Sequence, residues 1–342
     1  MTALDDVSTN PTDQVVPERH VGADAYVHSD SENDEAGPVE MGRDTIDGFL
    51  DDIPDDAEEL DLVHERLTTI ENLGFERFTN LRRISLRQNL LSKLHPLPNK
   101  TLTELDFYDN RLSRIENIDH LTNLTSLDLS FNKIRRVERV EALTNLTELF
   151  FVANKISAIG GLSPLINLTN LELGANRIRA IENLDALVNL EQLWLGKNKI
   201  TKLEGLDKLR NLKLLSVQSN RLSKIEGIAH LSNLEELYLS HNAITKIEGL
   251  DKNANLQTLD LSANRVVVLE GLETLSRLTE LWMNDNKLTS YEDIETQLSN
   301  KTELETVYFE RNPLQLEQAA TYRLKLKTIL PRITQIDAAL VR

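Results

Sequence analysis

Trp194 and Trp282 are the only tryptophans in a chain of 342 residues, and both stand between two apolar residues in the same short phrase. That slot recurs through the chain as Asp106, Asp128, Phe150, Glu172, Trp194, Ser216, Tyr238, Asp260 and Trp282, preceded by Ser85 and followed by Tyr308. Residues of these types do one kind of chemistry together. Large aromatics rimmed by charge have the composition of a binding hot spot. The acids Asp106, Asp128, Glu172 and Asp260, with Glu280 and Glu310 alongside, suit a partner that presents Lys and Arg, steering the encounter and fixing its register. Tyr108, Gln218 and Asn284 flank the row on the same side. Strand propensity alone favours Trp, Tyr and Phe in strands, but it does not choose the side they face.

Covalent and metal chemistry find no such support. The chain has no cysteine, which excludes disulfides, thiolate zinc sites and a cysteine nucleophile. Its histidines (His20, His28, His64, His95, His120, His230 and His241) show no metal-ligand spacing, and no H-E-x-x-H occurs. There is no P-loop, G-x-G-x-x-G or G-x-S-x-G, and no base stands beside a Ser or Thr that could act as nucleophile. The expectation is a protein that is not an enzyme and needs no cofactor.

The elements that position the row come from a repeat. The phrases LDFYDNRLSRIENI, LDLSFNKIRRVERV, LFFVANKISAIGGL and their successors share one template, with asparagines at Asn110, Asn132, Asn154, Asn176, Asn198, Asn220, Asn242, Asn264 and Asn286. Each step is 22 residues. Asn89 opens the series slightly out of step, and Asn312 closes it after a longer coil. L-x-L-x-x-N-x-L at such a period is the leucine-rich-repeat signature. Each coil is expected to give one short strand at L-x-L, with its leucines inward and its Asn satisfying turn backbone groups. The segment after Asn returns as a turn or 3₁₀ piece. Parallel stacking of the strands makes an α/β leucine-rich-repeat solenoid with the x residues lining a concave sheet.

The expected organisation is a disordered acidic tail over 1–50, a solenoid of about twelve coils over 51–312, and a C-terminal cap over 313–342. A degenerate first coil from Leu60 and the acidic turn DDIPDDAEE close one end of the core. At the other end Tyr322, Leu326, Ile329 and Leu330 recur at helical spacing before Pro331, which predicts a capping helix and a final extended segment.

The net charge is −17, and it is uneven. Residues 1–56 hold 16 acids against 2 bases, while the rest of the chain is close to neutral. Such a tail cannot bury enough surface to offset its ordering entropy. Within it, Ser29 and Ser31 resemble sites for an acid-directed kinase. The acidity argues against nucleic acid as a ligand. No apolar run approaches a membrane span and MTALDDVSTN does not read as a secretory signal, so no membrane partner is expected. The lack of cysteine points to an intracellular protein, and a capped solenoid is expected to be monomeric. The bases that follow the coil asparagines (Arg111, Lys133, Lys155, Arg177, Lys199, Arg221) read as solvated edge charges in preference to a second binding edge. The N-x-T phrases at Asn123, Asn145 and Asn167 read as parts of the repeat.

At these residues the chain resembles a known family. LRQN, YDNRL, LGKNKITKL, QSNRL, ELYLSHN, WMNDN, VYFERNPLQ and the closing LPRITQIDAALVR are similar to the leucine-rich-repeat regulatory subunit of protein phosphatase 1, from about Asp55 to Arg342. The resemblance implies a non-catalytic subunit that binds the phosphatase catalytic subunit on its concave face and controls its activity, assembly or targeting. Position by position, it implies contacts by Asp128, Phe150, Glu172 and Trp194, then Asp260, Glu280 with Trp282, and Tyr308. Members of the family carry Phe where this chain has Trp194. Asp106 and Tyr238 join the candidates from strand geometry alone. The family further implies a nuclear and cytoplasmic role in mitosis and a ternary complex with a small phosphatase inhibitor protein. The alternative reading is a generic leucine-rich-repeat scaffold with another partner.

Overall fold

Alternation in a strand sends neighbouring side chains to opposite faces, so a leucine on each side of an outward residue commits that strand to one orientation. The computed structural model describes residues 50–341. The tail assigned to disorder, with Ser29, Ser31, His20 and His28, lies outside the described residues except for Leu50. Twelve short strands follow in sequence order: β1 (Glu59–Asp61), β2 (Arg83–Ser85), β3 (Glu104–Asp106), β4 (Ser126–Asp128), β5 (Glu148–Phe150), β6 (Asn170–Glu172), β7 (Gln192–Trp194), β8 (Leu214–Ser216), β9 (Glu236–Tyr238), β10 (Thr258–Asp260), β11 (Glu280–Trp282) and β12 (Thr306–Tyr308). Each pairs in parallel only with its sequence neighbours, and from β3 to β11 the partners stand 22 residues apart, as with Asp128↔Phe150. The middle residue of every strand is buried, and so is the residue that follows the strand, as at Leu105 and Phe107 or Leu193 and Leu195. One continuous hydrophobic core therefore runs through all coils.

The asparagines do what the repeat predicts. Asn132 Nδ2 donates to the carbonyls of Phe107 (3.0 Å) and Leu129 (3.1 Å), and its Oδ1 accepts from Leu112 N at 2.9 Å. Asn154, Asn176, Asn198 and Asn264 repeat the pattern. Each side chain thus satisfies buried backbone groups of its own coil and the previous one, groups that would cost about 1–3 kcal/mol each if left unmade.

Seven residues after the Asn of each of the eight coils from Asn110 to Asn264 the chain turns with positive φ. Gly161, Gly205, Gly227, Gly249 and Gly271 hold this position in five coils, while Asn117, Arg139 and Asn183 hold it in three. At Gly205 (φ 66°) an added Cβ would meet the Ile181 carbonyl oxygen at 2.2 Å. Gly205→Ala is therefore expected to destabilise the solenoid by about 1–2 kcal/mol. A lowered urea midpoint by circular dichroism reads this out; an unchanged midpoint would show that the turn relaxes freely.

Both ends are closed. Leu50 is buried, and Ile53 and Ala57 pack on the first coil. Arg77, in the 3₁₀ turn Phe75–Arg77, ties this segment down by donating to the carbonyls of Leu50 and Ile53 and to Asp55 Oδ1. At the far end three helices break the repeat: α1 (Tyr291–Leu298), α2 (Pro313–Leu316) and α3 (Tyr322–Ile329). The last is the expected capping helix, with Tyr322 and Leu326 buried. Helix α1 was not expected, because KLTSYEDI continues the repeat template. Its start is signalled by Ser290, whose Oγ accepts from Asp293 N at 3.1 Å. The final extended segment is a hairpin: β13 (Gln335–Ile336) pairs in parallel with β12, and β14 (Ala339–Leu340) runs antiparallel to β13.

Candidate protein-docking face

Because the strands stack in register, the third residue of each forms a column on the open face of the sheet. Asp106, Asp128, Phe150, Glu172, Trp194, Ser216, Tyr238, Asp260, Trp282 and Tyr308 are successive Cα partners along β3 to β12. The structure thus brings nine of the ten candidate residues into this column, alongside Ser216, and puts the tenth, Glu280, on the same strand as Trp282. The column divides into an acidic half and an aromatic half.

In the acidic half, Asp106 and Asp128 each turn one carboxylate oxygen onto the backbone two residues on, accepting from Tyr108 N and Ser130 N at 2.8 Å. The other oxygens face Arg87, which the sequence reading did not single out. Arg87 Nη1 donates to Asp106 Oδ2 at 2.7 Å and stands 3.7 Å from Asp128 Oδ2. Its guanidinium also lies 4.0 Å from the centroid of the Tyr108 ring. The signal was present, since LRQN places Arg87 on the face in the slot that Tyr108 fills one coil later. Burial, and then the negative charge of Asp106, push the Asp128 carboxyl up from 3.8 to about 6. Glu172 is pushed up from 4.5 to about 7, first by burial and then by Asp128 and Glu148. Phe150 lies between these two acids, half-buried.

In the aromatic half the rings reach across the column. Trp194 and Tyr238 are two strands apart, yet their centroids are 6.5 Å apart and nearly parallel, 14° between planes. Tyr238 meets Trp282 edge-on at 6.3 Å, and Trp282 meets Tyr308 at 5.7 Å. Strands two apart would hold upright rings about 9.6 Å from each other, so the rings lean together over the small residues between them. Ser216 is consequently 0% exposed and Asp260 5% exposed.

This corrects the picture of a freely exposed row. The aromatics are half-buried against each other, and Asp260 is not an open carboxylate: its Oδ1 accepts from Ser262 N at 2.9 Å, and burial pushes its pKa up. Two anchors are clamped by acids on their own strands. Tyr238 Oη donates to Glu236 Oε2 at 2.6 Å, and Trp282 Nε1 to Glu280 Oε2 at 3.2 Å. Tyr308 Oη accepts from Gln335 Nε2 at 2.8 Å. Trp194 differs: its indole N–H is buried without a hydrogen-bond partner. Position 192, two residues before it, is Gln where Tyr238 and Trp282 have Glu.

Among the described residues no group of three His, Cys, Asp or Glu could hold a metal ion, and no helix is long and apolar enough to cross a membrane. A face of this kind can recognise another protein by burying aromatic anchors and pairing carboxylates with bases.

The family model described as Leucine Rich repeats (2 copies) matches in seven pieces that together run from residue 100 to 296, more than half of the chain. The chain belongs to the leucine-rich-repeat family. The resemblance to phosphatase regulators is also borne out. Over 81 residues the chain is 50% identical to a Schizosaccharomyces pombe protein named protein phosphatase 1 regulatory subunit SDS22, a match that covers 24% of each chain. Over 110 residues it is 48% identical to the Saccharomyces cerevisiae protein of the same name, covering 29% of this chain and 32% of that one. The matches thus span about a quarter to a third of the length of these curated relatives. Among solved structures, an internalin (InlF) from Listeria monocytogenes is similar in fold, with a TM-score of 0.64, 24% identity, and coverage of 83% of this chain and 87% of that one.

Proposed function

We propose that this leucine-rich-repeat protein is a non-catalytic regulatory subunit that binds the catalytic subunit of protein phosphatase 1 through the concave face of its sheet. The observation that carries the reading is the column itself: ten outward positions in register, acids at one end and interlocked aromatics at the other, in a chain whose core is complete without them. The name carried by the two yeast relatives supplies the partner. Asp106, Asp128, Glu172 and Glu280 pair with bases of the phosphatase, while Phe150, Trp194, Tyr238, Trp282 and Tyr308 pack against it. Asp260 acts from beneath Tyr238 and Trp282. Regulation of the phosphatase's activity, assembly or targeting in nucleus and cytoplasm, in mitosis and in a ternary complex with a small inhibitor protein, belongs to the same proposal.

A pull-down with purified phosphatase catalytic subunit tests it. Wild type is expected to bind, and a Glu172→Ala/Trp282→Ala double variant of equal circular dichroism is expected not to. Binding by neither protein would turn the assignment to a scaffold for another partner. Equal binding by both would keep the partner and move the site off this face.

A further inference from the structure

Residues one to five after the coil asparagines form a flank beside the sheet face. Across the nine coils from Asn110 to Asn286 these positions carry fifteen Lys and Arg residues and not one Asp or Glu. Acids and bases are nearly equal in number from residue 57 on, so their complete separation at these positions is a feature of the repeat. The second and fifth residues of the stretches are apolar and buried, as with Ile178 and Ile181 or Leu222 and Ile225, except that the last stretch ends on the half-buried Tyr291. The first, third and fourth therefore face outward, and Arg177, Arg179, Arg221 and Lys224 are all exposed. The column is held rigid by its own ladder: Arg177 N donates to Ile156 O, Lys199 N to Ile178 O, and Arg221 N to Ile200 O, each at 2.8 Å. Guanidinium and ammonium groups thus repeat along the solenoid at the strand spacing of about 4.8 Å.

A row of acids follows one position further on, from Glu116 to Glu270, and simple mutual neutralisation would make the flank inert. The structure argues otherwise. Lys246 meets Glu270 at 3.8 Å, but Arg177, Arg179, Arg221 and Lys224 hold no side-chain ion pair or hydrogen bond among the described residues. Val267 and Val268, which are 48% and 46% exposed, interrupt the stripe between Arg265 and Lys287.

We infer that this flank is a second docking surface, separate from the sheet face, and that it takes an extended acidic peptide segment rich in Asp, Glu or phosphorylated side chains. Arg clusters are a recurring receptor for acidic and phosphorylated motifs. Nine coils at about 4.8 Å span roughly 38 Å, which an extended peptide covers with about twelve residues. An acidic peptide fits better than nucleic acid for two reasons. The outward residues between the bases are Ser, Thr, Ala and Val, with no aromatic on which bases could stack. The adjoining acid row also repels a polyanion wide enough to reach beyond the flank more than it repels a single extended peptide strand.

Fluorescence anisotropy of the full chain with labelled dodecaglutamate tests this, with twelve-nucleotide oligo-dT as the nucleic-acid arm. Saturable binding of dodecaglutamate at 50 mM NaCl is expected, weakening at least tenfold at 300 mM. The variant Arg177→Glu/Arg179→Glu/Arg221→Glu/Lys224→Glu is expected to lose at least tenfold in affinity, and the same four changes to Gln to lose less. If the Glu variant misfolds, the Gln variant alone decides. Failure of dodecaglutamate to bind, or affinity unchanged in a folded variant, would overturn the inference. Tighter binding of oligo-dT than of the peptide would overturn it in favour of nucleic acid.

Discussion

Trp282→Ala is expected to weaken binding of the phosphatase catalytic subunit by about 2 kcal/mol or more, roughly a 30-fold rise in Kd. Trp282 is the joint of the aromatic half, touching Tyr238 on one side and Tyr308 on the other. Its N–H also occupies Glu280 Oε2. Truncation removes its own contact area, frees two neighbouring rings to turn, and uncovers Asp260. Rings that are already ordered lose little freedom on docking, so the pre-packed ladder lowers the entropic cost of association. Folding should be much less affected, because Leu281 and Met283 on either side of Trp282 fill the core. Tyr308→Ala, at the end of the ladder, is expected to fall in the same range. Trp282→Phe keeps a ring but not the bond to Glu280, and should lose less than the alanine variant. Titration calorimetry decides: a Kd within threefold of wild type, in an alanine variant with unchanged circular dichroism, would remove Trp282 from the interface.

The reason such a site can be read from sequence is that each coil repeats one local decision. L-x-L fixes which way every side chain points, and a 22-residue step fixes which side chains become neighbours. Membership of the column was therefore legible residue by residue, from Asp106 to Tyr308. What was not legible is how the neighbours use one another. That Trp194 and Tyr238 close over Ser216 depends on two rotamers 44 residues apart in sequence and on the small side chain between them. That Asp260 is covered follows from the same leaning of Tyr238 and Trp282. Arg87 stands two residues beyond the end of β2, in the slot that Tyr108, Gln218 and Asn284 fill in later coils. Its pairing with Asp106 and Asp128, one and two coils on, depends on how a long side chain reaches across the sheet and is not written in the repeat. Helix α1 was hidden by a sequence that satisfies two patterns at once, since KLTSYEDI reads both as a coil return and as a Ser-capped first turn.

The buried carboxylates make a second large effect, with opposite signs for folding and for docking. Glu172 is raised from 4.5 to about 7 and Asp128 from 3.8 to about 6, so the folded chain holds protons there that the unfolded chain releases. Stability then falls as pH rises through those windows, about 4.5–7 for Glu172 and 3.8–6 for Asp128. In the free protein Glu172→Gln is expected to raise the unfolding free energy at pH 8 by on the order of 2 kcal/mol, read as a higher urea midpoint, and to flatten its pH dependence between pH 5 and 7. In the proposed complex docking is expected to work the other way, because a base on the partner would pair with the ionised form. At pH 6 most of the Glu172 population carries a proton that must leave before the pair forms. Wild-type Kd is therefore expected to rise about tenfold from pH 8 to pH 6. Glu172→Gln should bind weakly at pH 8 and lose most of that pH dependence, and the difference between the two proteins cancels any titration of the phosphatase itself. Identical pH profiles for wild type and variant, in both melting and binding, would show that Glu172 neither titrates in this range nor meets the partner. A single carboxylate that is destabilising alone and stabilising in the complex is what a docking face leaves in place of a better-packed neutral residue. Glu172 satisfies the first half of that description by its burial and its acidic neighbours, and the pH series tests the second.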